Sequence, residues 1–278
     1  MHDNHHLKLH VLGSGSKGNA AIVENTLTGE GVMVDCGLCK RAVFEGAQQA
    51  GFDLRNLRGI LITHEHTDHT KGLGVTLRGL DRLGVFVPLY ASMPVRRASA
   101  PLQEVERDGL VEPHQFVAGS SLSLAGMQIH VFPTSHDAAD SFGFRFELTG
   151  GGLQGGEDAV GYMTDTGVVT PEAHEALQGV RLLALEANHD PQMLKEGPYP
   201  YPVKKRIVSN KGHLSNQQSA TELEALLSNK LEQVVAMHIS ENNNTYGLPV
   251  RTLREVTQRL GHTANVQAAY QHMLVSVE

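Results

Sequence analysis

The segment Thr63-His64-Glu65-His66-Thr67-Asp68-His69 places four side chains of metal-ligand type, His64, His66, Asp68 and His69, within six residues. It follows directly on an apolar run at 59–63 that reads as a strand. In an extended segment residues two apart face the same way, so His64 and His66 offer imidazoles to one cation while Asp68 and His69 wrap toward another. Solvated loop histidines are the competing interpretation, and this density of ligand types weighs against it. His136 and Asp165 extend the same chemistry, since each ends a strand-like run, 128–135 and 159–164, where polar side chains leave a sheet edge for a cleft. Alone, either would read as a cap or turn residue. Asp35, after the apolar run 32–34, is a third acid at a strand end, placed to orient a ligand or brace its loop. A late histidine completes the set from among His189, His213 and His238, of which His238 follows the strand-like run 233–237.

The elements that must position these residues are legible along the chain. The first third reads as an antiparallel meander with strands at 7–12, 20–24 and 32–34, joined by a Gly/Ser-rich turn at 13–19 and a Thr/Gly turn. A helix at 41–50, a strand at 59–63, a helix at 72–83 and a strand at 85–89 follow, then a mixed region at 92–118. Strands are expected at 121–124, 128–132 and 142–148, and a Gly-rich turn at 150–156 leads back into a strand at 159–163 as a long-looped hairpin. The second half predicts a helix after Pro171, a strand at 181–185, a Pro-punctuated segment at 197–202, a helix at 216–227 and a strand at 233–237. It closes with a helix at 249–260 and strands at 265–269 and 273–277. Strands and helices in two similar halves predict an α/β fold, a four-layer αββα sandwich of two mixed sheets with helices outside. It would form one domain over 1–278, with 1–6 disordered.

The composition fits such a domain: 278 residues, 40% hydrophobic and 19% charged, which supplies core material and excludes a disordered polyelectrolyte. No uninterrupted apolar run nears the roughly 18 residues of a membrane helix, and the polar start has no apolar segment behind it, so neither span nor secretion is expected. Two cysteines make no disulfide framework, and the expected location is cytoplasmic. Thirty acidic residues against 23 basic ones, net charge −7, argue against coating nucleic acid by bulk charge. Against that background Lys204, Lys205, Arg206 and Lys211 form a local positive run before His213, in a stretch, 197–221, without an acidic residue. That run either contacts substrate phosphates or forms a solvated helix face. Tyr199 and Tyr201 beside it are able to stack a base. The 13–19 loop lacks the Gly-Lys-Ser/Thr ending of a nucleotide-binding loop. Cys36-x-x-Cys39 stands alone, and His10, His114, His130, His174, His262 and His272 have no partners at useful spacing.

The ordered set Asp35, His64-x-His66-x-Asp68-His69, His136, Asp165 and a late His resembles the metallo-β-lactamase-fold hydrolase superfamily over essentially the whole chain. Within it, Leu12-Gly13-Ser14-Gly15-Ser16-Lys17-Gly18-Asn19, Val34-Asp35-Cys36-Gly37-Leu38, Glu186-Ala187-Asn188-His189-Asp190, Gly197-Pro198-Tyr199-Pro200-Tyr201-Pro202 and Gly212-His213-Leu214-Ser215-Asn216 are similar to the YycJ/WalJ-type, exonuclease-like branch, related to tRNase Z, RNase J and PhnP. Cys39 departs from the serine of that pattern. The resemblance implies two divalent metal ions, with His64, His66 and His136 on one, Asp68, His69 and His238 on the other, and Asp165 bridging. It also implies phosphodiester hydrolysis, with nucleic acid, DNA in preference to RNA, as substrate. His213 is then a proton donor or phosphate-orienting group, and His189 lies beside the site.

Two divalent ions roughly 3.5–4 Å apart make hydroxide available near neutral pH and clamp the oxygens of an in-line displacement. Asp68 is placed to orient that hydroxide, and His213 to protonate the leaving alkoxide. Imidazole and carboxylate suit Zn2+, the default here, and are compatible with Mn2+. Only 73 positions separate Asp165 from His238, too few for the inserted domain of RNase J-like enzymes. The alternative is a small-molecule metallo-hydrolase acting as a cyclic phosphodiesterase, lactonase or thioesterase. A non-catalytic module is disfavoured because all seven ligand positions carry suitable residues.

Overall fold

The structure, a computed structural model, describes residues 5–149 and 158–278. Six strands lie side by side in chain order: β1 (Leu7–Gly13), β2 (Ala20–Asn25), β3 (Glu30–Val34), β4 (Leu57–Leu61), β5 (Pro88–Tyr90) and β6 (Glu112–His114). The next seven form a second sheet, again in chain order: β7 (Ser121–Leu124), β8 (Met127–Pro133), β9 (Phe142–Leu148), β10 (Ala159–Met163), β11 (Leu182–Glu186), β12 (Gln233–Met237) and β13 (Asn265–Ala268). The last strand, β14 (Val275–Val277), returns to the first sheet and pairs antiparallel with β1. Each sheet begins antiparallel, β1 to β3 and β7 to β10, and becomes parallel beyond, β3 to β6 and β10 to β13.

Burial follows from that position in the sheet. In β8 the inward Met127, Ile129 and Val131 alternate with half-exposed Gln128 and His130, the pattern of a strand with one wet face. β10 and β11 are buried at every residue and accordingly run almost wholly apolar, as parallel strands covered on both faces must. One buried cluster joins the facing sheets through Ile22, Met33, Leu61, Phe144, Tyr162, Ala184 and Met237, and includes Val43, Leu77 and Leu102 from helices on the outer side of the first sheet. A second cluster packs Leu177, Leu223 and Leu253, from helices Pro171–Leu177, Asn216–Leu226 and Gly247–Arg259, on Leu183, Leu185 and Val234 of the second sheet. The result is the expected four-layer αββα arrangement. Among the described residues no helix is long and apolar enough to cross a membrane.

Several local expectations change. The mixed region holds two short helices, Met93–Ala98 and Ala100–Arg107, each started by a serine, Ser92 or Ser99, whose hydroxyl accepts from a first-turn amide. The Pro-punctuated segment leads into the helix Tyr201–Ile207, with proline in its first turn where a missing N–H costs nothing. The strand expected at 85–89 is moved to Pro88–Tyr90, and the two closing strands belong to different sheets. Of the terminus expected to be disordered, His5 and His6 are described, with the His6 backbone amide donating to Asp158. The Gly-rich turn at 150–156 lies outside the described residues.

Candidate metal centre

The chemistry-bearing residues gather where strands end. Asp35 follows β3, Asp165 lies just past β10, Glu186 ends β11 and His238 follows β12, all at the carboxyl ends of parallel strands, where open α/β sheets form their crevices. His136 lies just past β8, and the 63–69 segment just past β4. Asp35, Asp165 and His238 take φ values of 59°, 51° and 52°, a left-handed region that non-glycine residues rarely enter. Two of these strained turns bring Asp165 and His238 to the cleft wall, and the third lets Asp35 hold His69 from behind.

Backbone contacts lock the ligand segment in place. The Asp68 and His69 carbonyls accept from the amides of Asn19 and Cys36, each at 2.8 Å. A β-carbon on Gly37 would lie 1.6 Å from the Asp68 carbonyl oxygen, so only glycine admits this approach. The 13–19 turn braces the site from the other side: Ser14 Oγ accepts from the His238 amide at 2.8 Å, and Asn19 Nδ2 lies 3.1 Å from His69 Nε2.

The ring nitrogens are sorted by their outer partners. His69 Nδ1 donates to Asp35 Oδ2 at 2.7 Å, leaving Nε2 at 3.3 Å from Asp165 Oδ2 and 3.6 Å from Asp68 Oδ2. His136 Nδ1 donates to the Gly212 carbonyl at 3.0 Å, which turns Nε2 toward His66 Nδ1 at 3.3 Å. His238 Nδ1 lies 3.2 Å from Glu186 Oε1, with Nε2 3.5 Å from Asp68 Oδ2. His213 Nδ1 bonds the same Glu186 oxygen at 2.8 Å.

Ligand-type atoms of His64, His66 and His136 all lie within 4.8 Å of one another, as do those of Asp68, His69 and His238. Asp165 belongs to two further groups of the same kind, one with His64 and His69, the other with Glu186, His213 and His238. The residues fit divalent cations. His64 Nε2 and His238 Nε2 are buried in the cluster without a hydrogen-bond partner, and the donors are imidazole and carboxylate throughout.

Charge in the protein alone makes the same point. Burial works against every charged group here. It dominates at His64, which together with the His69 charge is held well below the usual imidazole range. Elsewhere opposite charges prevail over burial: Asp35, Asp165 and Asp68 hold His69 well above its usual range, and Asp165, Asp68 and Glu186 push His238 up to about 10. The histidine charges in turn keep Asp165 well below the carboxylate range, and Asp68 and Glu186 at about 2. Protonated imidazoles thus offset a set of buried carboxylates, a role that divalent cations would fill without leaving ring nitrogens unpaired.

The remaining expected site residues lie as follows. Asp35 is fully buried, accepting from the Thr63 amide and hydroxyl as well as His69. His189 is buried beside the cluster but in none of its groups, its ring lowered to about 4 by burial. Of the basic run, Arg206 lines the cleft and pairs with Asp137, Lys211 lines a neighbouring cavity, Lys204 donates to the Lys195 carbonyl at 2.7 Å, and Lys205 is exposed. Tyr199 also lines the cleft. Cys36 is buried and Cys39 exposed, both free. Glu186 is the residue that sequence reasoning passed over, although it ends a strand like Asp35 and Asp165 and stands in a motif already singled out.

Comparison with known proteins agrees with this geometry. Residues 31–239 match the family model described as a beta-lactamase superfamily domain. Exodeoxyribonuclease YycJ of Bacillus anthracis is 30% identical over 256 residues, 92% of this chain and 90% of that protein. Exodeoxyribonuclease WalJ of Streptococcus pneumoniae is 30% identical over 248 residues, 88% of this chain and 86% of its own. Among solved structures, the metallo-beta-lactamase fold protein YhfI of Bacillus subtilis superposes with a TM-score of 0.68 at 15% identity, covering 98% of this chain and 99% of its own, which bears on the fold alone. With the matched region enclosing the ligand segment, His136, Asp165 and His238, this chain belongs to the metallo-β-lactamase superfamily, in its YycJ/WalJ branch.

Proposed function

We propose that the protein is a dinuclear metal-dependent phosphodiester hydrolase, a nuclease acting on DNA from an end. One observation carries the reading: His213, bonded from behind by the buried Glu186, lines the cleft into which the His/Asp ligand cluster opens. That pairing supports a proton source beside a site for hydrolytic cations. His64, His66 and His136 would hold one ion, Asp68, His69 and His238 the other, with Asp165 shared and Zn2+ the default. Bound divalent ions supply Lewis acidity and lower the pKa of a coordinated water toward neutrality.

The chain's own groups do the rest. Asp68 is the partly exposed carboxylate of the cluster and lines the cleft, where it orients the attacking water and accepts its proton. Glu186 accepts from His213 Nδ1 and orients the ring, leaving Nε2, on the far side, to protonate the leaving oxygen. Arg206, on the wall of the cleft, is available to the substrate phosphate in exchange for Asp137. Asp35 fixes His69 from behind, and His189 packs at the margin.

DNA is favoured over RNA because both relatives carry the name exodeoxyribonuclease. A single hydrolase domain working in the cytoplasm suits that role. The test is a time course on end-labelled DNA and matched RNA with Zn2+ or Mn2+, using Asp68→Ala as the blank. Progressive shortening of DNA that vanishes in the variant supports the reading. Turnover of a cyclic or aryl phosphodiester with no cleavage of DNA moves the assignment to a small-molecule hydrolase.

A further inference from the structure

A cavity of about 490 Å³ adjoins the metal cleft, and the two share His136 as a common wall. Its lining includes a pair of phenylalanine rings, which the cleft does not have. Phe116 and Phe142, edge to face with ring centroids 5.1 Å apart, face it together with Met93 and Pro94. Among the described residues lining it, Lys211 is the one lysine or arginine and Asp140 the one carboxylate, the latter accepting from Ser92 Oγ at 2.8 Å. Lys211 marks the border between the two spaces, because the Asn210 carbonyl accepts from Ser135 Oγ at 2.8 Å and the Gly212 carbonyl accepts from His136 Nδ1 at 3.0 Å.

We propose that this cavity is a subsite for the nucleobase flanking the scissile phosphate. The inference rests on the phosphodiesterase reading above and assigns its substrate a nucleoside component. Phe116, Phe142, Met93 and Pro94 offer a base apolar surface and the hydroxyls and carboxylate around them offer polar partners, the mixture from which concave ligand sites are generally built. The Asp140 carboxylate repels phosphate but accepts from the N–H edge of a base. Lys211, on the border, meets the backbone phosphate that passes between cavity and cleft. A bare phosphate meets Lys211 at the border but gains nothing from the phenylalanine rings.

The test compares two ligands on the zinc-loaded protein by calorimetry: thymidine 5′-monophosphate and inorganic phosphate. Wild type should bind the nucleotide about tenfold or more tightly than phosphate, the scale of one stacked base. Ala118→Trp, at an exposed loop position lining the cavity, should bring the two to parity while leaving phosphate affinity unchanged. Parity in the wild type, or a margin that survives in the variant, overturns the subsite. So does an equal loss of both affinities, which would make the cavity a support for the metal centre. Failure of the same wild-type preparation to turn over bis(4-nitrophenyl) phosphate overturns the hydrolase reading instead, and the binding margin still decides whether a base is held.

Discussion

Asp35→Asn tests the logic of the site more sharply than removal of any ligand. Asp35 is fully buried and uses both oxygens: Oδ1 accepts from the Thr63 amide at 2.8 Å, and Oδ2 accepts from His69 Nδ1 at 2.7 Å and the Thr63 hydroxyl at 2.9 Å. An amide of the same shape has one oxygen. If its NH2 faces the Thr63 amide, two donors meet in a dry site, at a cost of about 1–3 kcal/mol. If it faces His69, the imidazole must carry its proton on Nε2, the nitrogen 3.3 Å from Asp165 and 3.6 Å from Asp68, and that nitrogen no longer has a lone pair for a cation. Both arrangements weaken the group formed by Asp68, His69 and His238 and leave that of His64, His66 and His136 intact. The expected result is a roughly 10–100-fold loss of affinity for one of two ions, the usual scale for an outer partner of a ligating histidine. Metal content by mass spectrometry after dialysis should fall toward one ion per chain. The melting midpoint should drop by about 2–12 °C, taking the unsatisfied donor at about 2–4 °C per kcal/mol. Wild-type stoichiometry and affinity in Asp35→Asn would refute the reasoning.

Other substitutions separate the remaining roles. His213→Ala should slow cleavage of DNA by roughly 10²–10⁴-fold but slow bis(4-nitrophenyl) phosphate far less, because nitrophenolate leaves without a proton; equal losses on both substrates would remove the proton-donor role. Gly37→Ala drives a methyl group into the Asp68 carbonyl and should reduce metal content even though no ligand is changed, which the same mass spectrometry reads. Arg181 is 1% exposed, donates to Asp158 at 2.8 Å and to the Leu7 carbonyl at 2.7 Å, so Arg181→Met should cost about 3–5 kcal/mol by leaving a buried carboxylate without its counter-ion, with metal binding retained. In native protein a thiol reagent should titrate Cys39 alone, since burial pushes the Cys36 thiol up to about 12; both should react after unfolding.

What could be read in the chain divides along a physical line. Ser121–Leu124, Phe142–Leu148, Ala159–Met163 and Gln233–Met237 are strands to the residue, because apolar or alternating runs bounded by glycine and polar turns carry their own signal. Helices Met93–Ala98 and Ala100–Arg107 escape because fewer than three turns hold too few residues to show a period, leaving only their serine caps and first-turn prolines as marks. The pairing of β14 with β1 has no local signal at all: Val275 meets Val11 across almost the entire chain, and only the packing of the closed sheet selects it. The same holds for the cavity beside His136, which gathers Met93, Phe116 and Phe142 from three separate segments.

Glu186 shows why the site itself was more legible than its second layer. The rule that a polar residue after an apolar strand faces a cleft picked out Asp35, Asp165 and His238, and Glu186 obeys it too, one step past the run expected at 181–185, yet it entered only as part of a motif and the structure extends the strand to include it. Its carboxylate reaches the cluster because β11 runs between β10 and β12, whose own ends supply Asp165 and His238 on either side. Those two neighbours, and Asp35, leave their strands through left-handed φ values that glycine would adopt at no cost. Side chains with ligand atoms occupy these turns nonetheless, so the requirement for imidazole and carboxylate in the cleft has prevailed over the preference of the backbone. Violations of local rules of this kind concentrate where function constrains a fold. Here Asp165 and His238 line the cleft and Asp35 holds His69 behind it, all three around the cluster that also contains the unpaired nitrogens of His64 and His238.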